Sequence, residues 1–133
     1  MATRLSVLSI VVLLLAAGTA SAQTARTGQM MREKLDHAQR VLQALTTSDY
    51  AMLDRESGAL LRLTESPRWA ELKTPELRTY TDNFLKAVAD LSAASKKRDL
   101  DAAAVNYGVL VMTCYQCHRH LKDTRVAVGR AYQ

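Results

Sequence analysis

Breaks in the chain are few. Two prolines and five glycines occur in 133 residues, placed where a helix should start, stop or weaken, so little interrupts a helical course. Beyond the first two dozen residues no apolar run approaches the ~20 residues of a membrane span, which excludes a later transmembrane segment. No charge of one sign dominates either: 18 basic against 13 acidic side chains give +5, and the two signs interleave through most of the chain. The one cluster, Lys96-Lys97-Arg98, sits just before a helix cap at Asp99, where cations suit the negative end of the preceding helix. No basic tract follows a phosphate backbone, so nucleic acid is excluded as a partner. A Ser-His-Asp set, a carboxylate pair and a phosphate-binding glycine loop are also missing. No catalytic turnover site is expected, and the chain is not read as an enzyme.

The first 22 residues have the form of a cleaved secretory signal: basic Arg4, an apolar run from Leu5 to Ala17, then Ala20-Ser21-Ala22 for the peptidase. A retained anchor is the rival reading. The run is shorter than a span needs and a cleavage pattern follows it, which favours cleavage and export to a bacterial periplasm. Residues 23–133 then form one domain with a single, modest core.

Four helices are predicted in that domain. The first runs from about Gly28 to Thr46, with Met31, Leu35, Ala38, Leu42 and Leu45 as one buried stripe at steps of four and three. Thr46-Thr47-Ser48-Asp49 caps a second helix to about Thr64, with Leu53, Leu60 and Leu61 inward. A link of about ten residues holds Pro67 and the only tryptophan, Trp69, which is expected to cap one end of the bundle. Thr74-Pro75 opens a third helix, to about Lys97, with Leu77, Tyr80, Phe84, Val88 and Leu91 inward. Asp99 opens the fourth, whose inner face carries Leu100, Ala103, Ala104, Tyr107, Val111, Cys114, His118 and Leu121. Short links imply antiparallel neighbours, so the fold class is all-α, an antiparallel up-down-up-down four-helix bundle.

The chemistry lies in Cys114-Tyr115-Gln116-Cys117-His118, the spacing for covalent attachment of one haem c. Two thiols on adjacent turns each add to a vinyl group of the porphyrin, and the following imidazole reaches the iron as proximal ligand. Three fastenings hold a cofactor that a small core cannot enclose. A thioredoxin-like pair would open a helix in a βαβ setting, whereas this one lies late in a helix and no strand is predicted. A structural zinc ion would need a fourth ligand, and His120 points away from His118 on the same helix. A packing role alone would strand two thiols in an oxidising compartment.

With its leader, four amphipathic helices, a tryptophan between the second and third, and Cys-x-x-Cys-His near the C-terminus, the mature region resembles the class II cytochromes c, the family of cytochrome c′. The resemblance implies a haem-bearing four-helix bundle. In that family an aromatic and then a basic residue usually follow the histidine by three and four positions. Leu121 and Lys122 stand there, so the basic residue is kept in kind and the aromatic is lost.

The sixth iron position separates an electron carrier from a gas-binding protein. In an up-down-up-down chain the end of helix four lies beside the start of helix one, and Met31 occupies that start. Low-spin members of the resembled family supply a methionine there, whereas cytochrome c′ has an apolar residue. Met31 is therefore the expected distal ligand, with Met30, about 100° around the helix, as its competitor. His37 lies roughly 9 Å further along and off the stripe. Leu35, Tyr107 and Val111 are expected to line the haem pocket, and His120 and Lys122 to sit at the solvent edge. The leading reading is a single-electron carrier serving periplasmic redox partner proteins. The alternatives are a five-coordinate protein binding nitric oxide or carbon monoxide, and a peroxidase with His37 as acid-base group. Met30 and Val41, off the main stripe, would permit a homodimer.

Overall fold

The structure, a computed structural model, describes residues 25–70 and 72–124; the expected leader, 1–22, lies outside them. Every regular element among the described residues is an α-helix: α1 (Ala2–Thr47), α2 (Tyr50–Thr64), α3 (Pro67–Ala70), α4 (Arg78–Lys96) and α5 (Leu100–Ala131). The all-α expectation holds. Among these residues no helix is long and apolar enough to cross a membrane. The chain divides into two compact units, Met1–Glu33 and Lys34–Gln133. In the first, Gln29 Nε2 donates to Glu33 Oε1 at 2.9 Å across one helical turn.

The second unit is organised by two connections of the same design. Ser48 and Arg98 adopt left-handed φ of 54° and 55°. Each leaves its helix by the paired bonds of a Schellman turn: Asp49 N–H to Ala44 O at 2.9 Å with Ser48 N–H to Leu45 O at 3.3 Å, and Asp99 N–H to Ala94 O at 3.1 Å with Arg98 N–H to Ser95 O at 3.0 Å. The aspartate then caps the next helix. Asp49 Oδ1 accepts from Met52 N–H and Asp99 Oδ1 from Ala102 N–H, both at 2.9 Å. Arg98 lies over the Tyr50 ring, 4.2 Å from its centroid, so both connections sit at one end of the unit.

Helix α4 packs against both α2 and α5. Its α2-facing side is built from small residues. Ser57 and Ser95 are 3% exposed or less, with hydroxyls 3.5 Å apart, and each also donates to a carbonyl of its own helix. Such pairs let two backbones approach without stranding a hydroxyl. Leu53, Leu60, Phe84, Val88, Leu91 and Leu110 fill the core between these helices.

Three expectations about the helices are corrected. The inner face of α1 is not Met31-Leu35-Ala38-Leu42-Leu45. Leu35 and Leu42 are exposed, and the buried positions are Met30, Val41 and Ala44. The stripe runs 30, 34, 37, 41, 44 at steps of four and three, about 100° from the expected phase. It was missed because two of its members are polar, Lys34 and His37. Met30 and Val41, expected off the buried stripe, are 1% and 0% exposed. In the long link, α3 is an additional short helix, and it buries Trp69. Finally, α4 begins at Arg78 with no side-chain cap, because Thr74-Pro75-Glu76-Leu77 closes as a turn, with Leu77 N–H donating to Thr74 O at 3.1 Å.

A buried carboxylate joins α1 to α2. Glu56, 4% exposed, meets His37 Nδ1 at 2.8 Å, Arg55 Nε at 2.9 Å and Arg40 Nη1 at 3.7 Å. Burial pushes its carboxyl up, but hydrogen bonds from His37 and Arg55, with their charges, outweigh that and hold it below its ordinary value. A depressed carboxyl contributes stability above its unfolded pKa, about 4.3, and loses it as pH falls through the folded value. Urea midpoints should therefore drop more steeply from pH 7 into acid for the parent chain than for Glu56→Gln; equal slopes would remove the carboxylate from the account. Asp49→Ala and Asp99→Ala should each cost about 1 kcal/mol in urea unfolding, and the double variant their sum.

Candidate functional site

Cys114 and Cys117 project from adjacent turns of α5, and both are free thiols, half-buried. The neighbouring buried positions of α5 are Leu110 and Thr113. The thiols therefore lie at the border of the inner face, where a group fastened to them would complete the core. His118 is exposed; Tyr115, Arg119, Lys122 and Asp123 surround it around a surface cavity on α5. Its imidazole is one residue beyond the second thiol, as the motif requires.

A second cluster in the same unit was not legible in the motif. Lys34, on the inner stripe of α1, places its Nζ 3.8 Å from the Phe84 ring centroid and 4.6 Å from that of Trp69. The two rings are tilted by 37°, with centroids 5.0 Å apart. Three elements thus contribute to one cradle: α1 a cation, α3 an indole and α4 a phenyl ring. Both thiols lie within electrostatic reach of Lys34. The common height of these groups follows from chain length. Lys34 stands 14 residues before Ser48, Phe84 14 before Arg98, and Cys114 15 after Asp99. At 1.5 Å per residue each is roughly 21 Å from the twin connections.

The electrostatics are those of a partly dry site. Burial holds the Lys34 ammonium below its ordinary value, opposed by the negative charge of the thiols when ionised. Burial pushes the Cys114 and Cys117 thiols up, and the Lys34 charge works against that at each. Tyr107, two turns before Cys114, is half-buried and also pushed up, by burial and then by Cys114. The Trp69 indole Nε1–H is buried with no hydrogen-bond partner. Such an orphan donor costs about 1–3 kcal/mol, and ring-face contact with a cation does not relieve it.

Of the pocket residues expected from the sequence, the structure brings Cys114, Cys117 and Tyr107 together. Val111 and Leu35 are 46% and 57% exposed, outside the buried cluster. Met31 belongs to the first unit and is half-buried, whereas Met30 is 1% exposed. His120, expected at the solvent edge, is half-buried with its ring 4.9 Å from that of Tyr80. His37 is engaged with Glu56. Lys34 and Phe84 are the site residues missed, and the correct phase of α1 is the signal that finds Lys34.

The residues present fit a covalently held haem. Two free thiols one turn apart and an adjacent exposed imidazole suit covalent attachment, and a buried donor in want of an acceptor suits a group with carboxylate side chains. Among the described residues no group of three or more His, Cys, Asp or Glu side chains gathers, so a bare metal ion would find no closed ligand set there. No protein-family model, curated protein or solved structure matches the chain.

In the haem-free chain, Lys34→Met should raise both thiol pKa values further and slow alkylation by iodoacetamide at pH 8, roughly two- to tenfold. Unchanged rates would place Lys34 out of electrostatic reach of the thiols.

Proposed function

We propose that the mature chain is a periplasmic monohaem c-type cytochrome, a single-electron carrier built as an up-down-up-down four-helix bundle like the class II family it resembles. The observation that carries this reading is the pair of free, half-buried thiols on adjacent turns of α5, followed at once by His118. Cys114 and Cys117 fasten the group by thioether bonds, and His118 supplies the proximal nitrogen. Trp69 and Phe84 exclude water from the face they cover. Haem bound there supplies a one-electron iron couple. The first 22 residues direct export to the compartment where such attachment takes place.

For the sixth ligand the reading rests on sequence. A thioether from the start of helix one closes the iron site, raises the potential relative to a second histidine and leaves no open position for gas. Met31 is the assigned residue, and Met30, one position away and about 100° around the helix, is the competitor to be tested beside it. Exposed Lys122 and Arg119 near His118 offer a cationic surface to an acidic redox partner.

Optical and magnetic circular dichroism spectra of the purified holoprotein, oxidised and reduced, test the reading beside Met31→Ala and Met30→Ala. A low-spin parent with the methionine-to-ferric-iron band, lost in one of the two variants, supports the carrier and names its ligand. A high-spin spectrum unchanged by either substitution, with ready binding of carbon monoxide to the reduced form, would replace it with a gas-binding protein.

A further inference from the structure

One hydrogen-bond donor in the cradle, the Trp69 Nε1–H, is buried without an acceptor, and a cation lies over its ring. Lys34 has ring faces for neighbours and, among the described residues, no carboxylate within ion-pairing distance. Ring faces offset only part of what an ammonium loses on leaving water. Trp69 is 1% exposed, and its Nε1–H is buried and unpartnered. The Lys34 Nζ lies 4.6 Å from the centroid of the ring that carries this N–H. Elsewhere in this unit buried polar groups are paired: Ser57, Ser95 and Thr113 each donate to a carbonyl, and Glu56 has its own partners. A cation with no carboxylate partner among the described residues, over a ring whose N–H is unpartnered, is complementary to a planar anion with two oxygens.

We infer that Lys34 and Trp69 form a carboxylate-binding pair inside the cradle, one oxygen accepting from the ammonium and the other from the indole N–H. The inference rests on the haem reading above, because a propionate is the carboxylate that the attached group brings with it. A free small carboxylate is the other source of the same chemistry. Lys34 and Trp69 are positioning residues in this account: they orient and neutralise an acid group at the edge of the site and do not touch the reacting iron.

The test uses the holoprotein, its Lys34→Met, Lys34→Arg and Trp69→Phe variants, and acetate as the probe. Because the chain has one tryptophan, its indole N–H gives a single nuclear magnetic resonance signal, read in the reduced protein. With propionate as the source, Lys34→Met leaves a negative charge uncompensated and favours ferric iron about tenfold, a midpoint about 59 mV lower for a one-electron couple. Lys34→Arg restores most of that shift, Trp69→Phe gives a smaller fall, the indole signal moves in Lys34→Met, and acetate changes nothing. With a free carboxylate as the source, acetate moves the parent's indole signal and not that of Lys34→Met. Midpoint and indole signal both indifferent to Lys34→Met and to acetate overturn the inference while leaving the attached haem in place. A product with no attached haem contradicts the electron-carrier reading instead. In that case acetate titration of the haem-free chain decides: a Lys34-dependent indole shift supports the pair, and no shift overturns it.

Discussion

The rotation of α1 about its own axis is the constraint on which the site depends, and the buried Glu56 carboxylate sets it. A carboxylate that is 4% exposed must be hydrogen-bonded, and the partners that reach it from α1 are His37 and, more distantly, Arg40. Turning α1 so that His37 meets Glu56 also turns Val41 and Ala44 into the core and leaves Leu35 and Leu42 outside. One turn before His37, the same rotation delivers Lys34 to the Trp69 and Phe84 rings. A hydrogen bond between two helices therefore fixes which side chain of α1 meets the Trp69 and Phe84 rings.

This coupling explains which parts of the molecule could be read from sequence. The connections were legible because their signal is local: an aspartate after a helix end, at 49 and 99, caps the next helix through its own side chain wherever the helix lies. The Cys114–His118 motif was legible for the same reason, since its spacing alone puts thiols and imidazole on adjacent turns. The phase of α1 was not, because counting apolar residues assumes a uniformly apolar inner face. Five apolar residues at 31, 35, 38, 42 and 45 outnumber those on the face that is buried, and the interactions that reverse the choice are with residues far along the chain. Trp69 was visible as a landmark, but nothing near it in sequence shows that α3 turns it into the core. The start of α4 was misplaced because Thr74 and Pro75 suit a turn as well as a helix start.

The site combines features that suit a fastened, partly enclosed cofactor. A domain of this size has a core too small to surround a porphyrin, and covalent attachment removes the need. The polar groups kept inside are not spread at random. Serines line the α2–α4 contact, where they satisfy themselves on their own helices, and the Glu56 network ties α1 to α2. The orphan indole donor lies instead beside Phe84, with the Lys34 cation over its ring. Among the described residues this indole N–H is the buried side-chain donor left without a partner.

The central claim is covalent attachment of one haem through Cys114 and Cys117, and the intact mass of the protein recovered from the periplasm of a host with cytochrome c maturation tests it most directly. The account predicts a polypeptide beginning at Gln23 carrying the mass of one haem, retained in denaturant and organic solvent. The mass of the bare polypeptide, or of one lighter by the hydrogens lost to a Cys114–Cys117 disulfide, would contradict it.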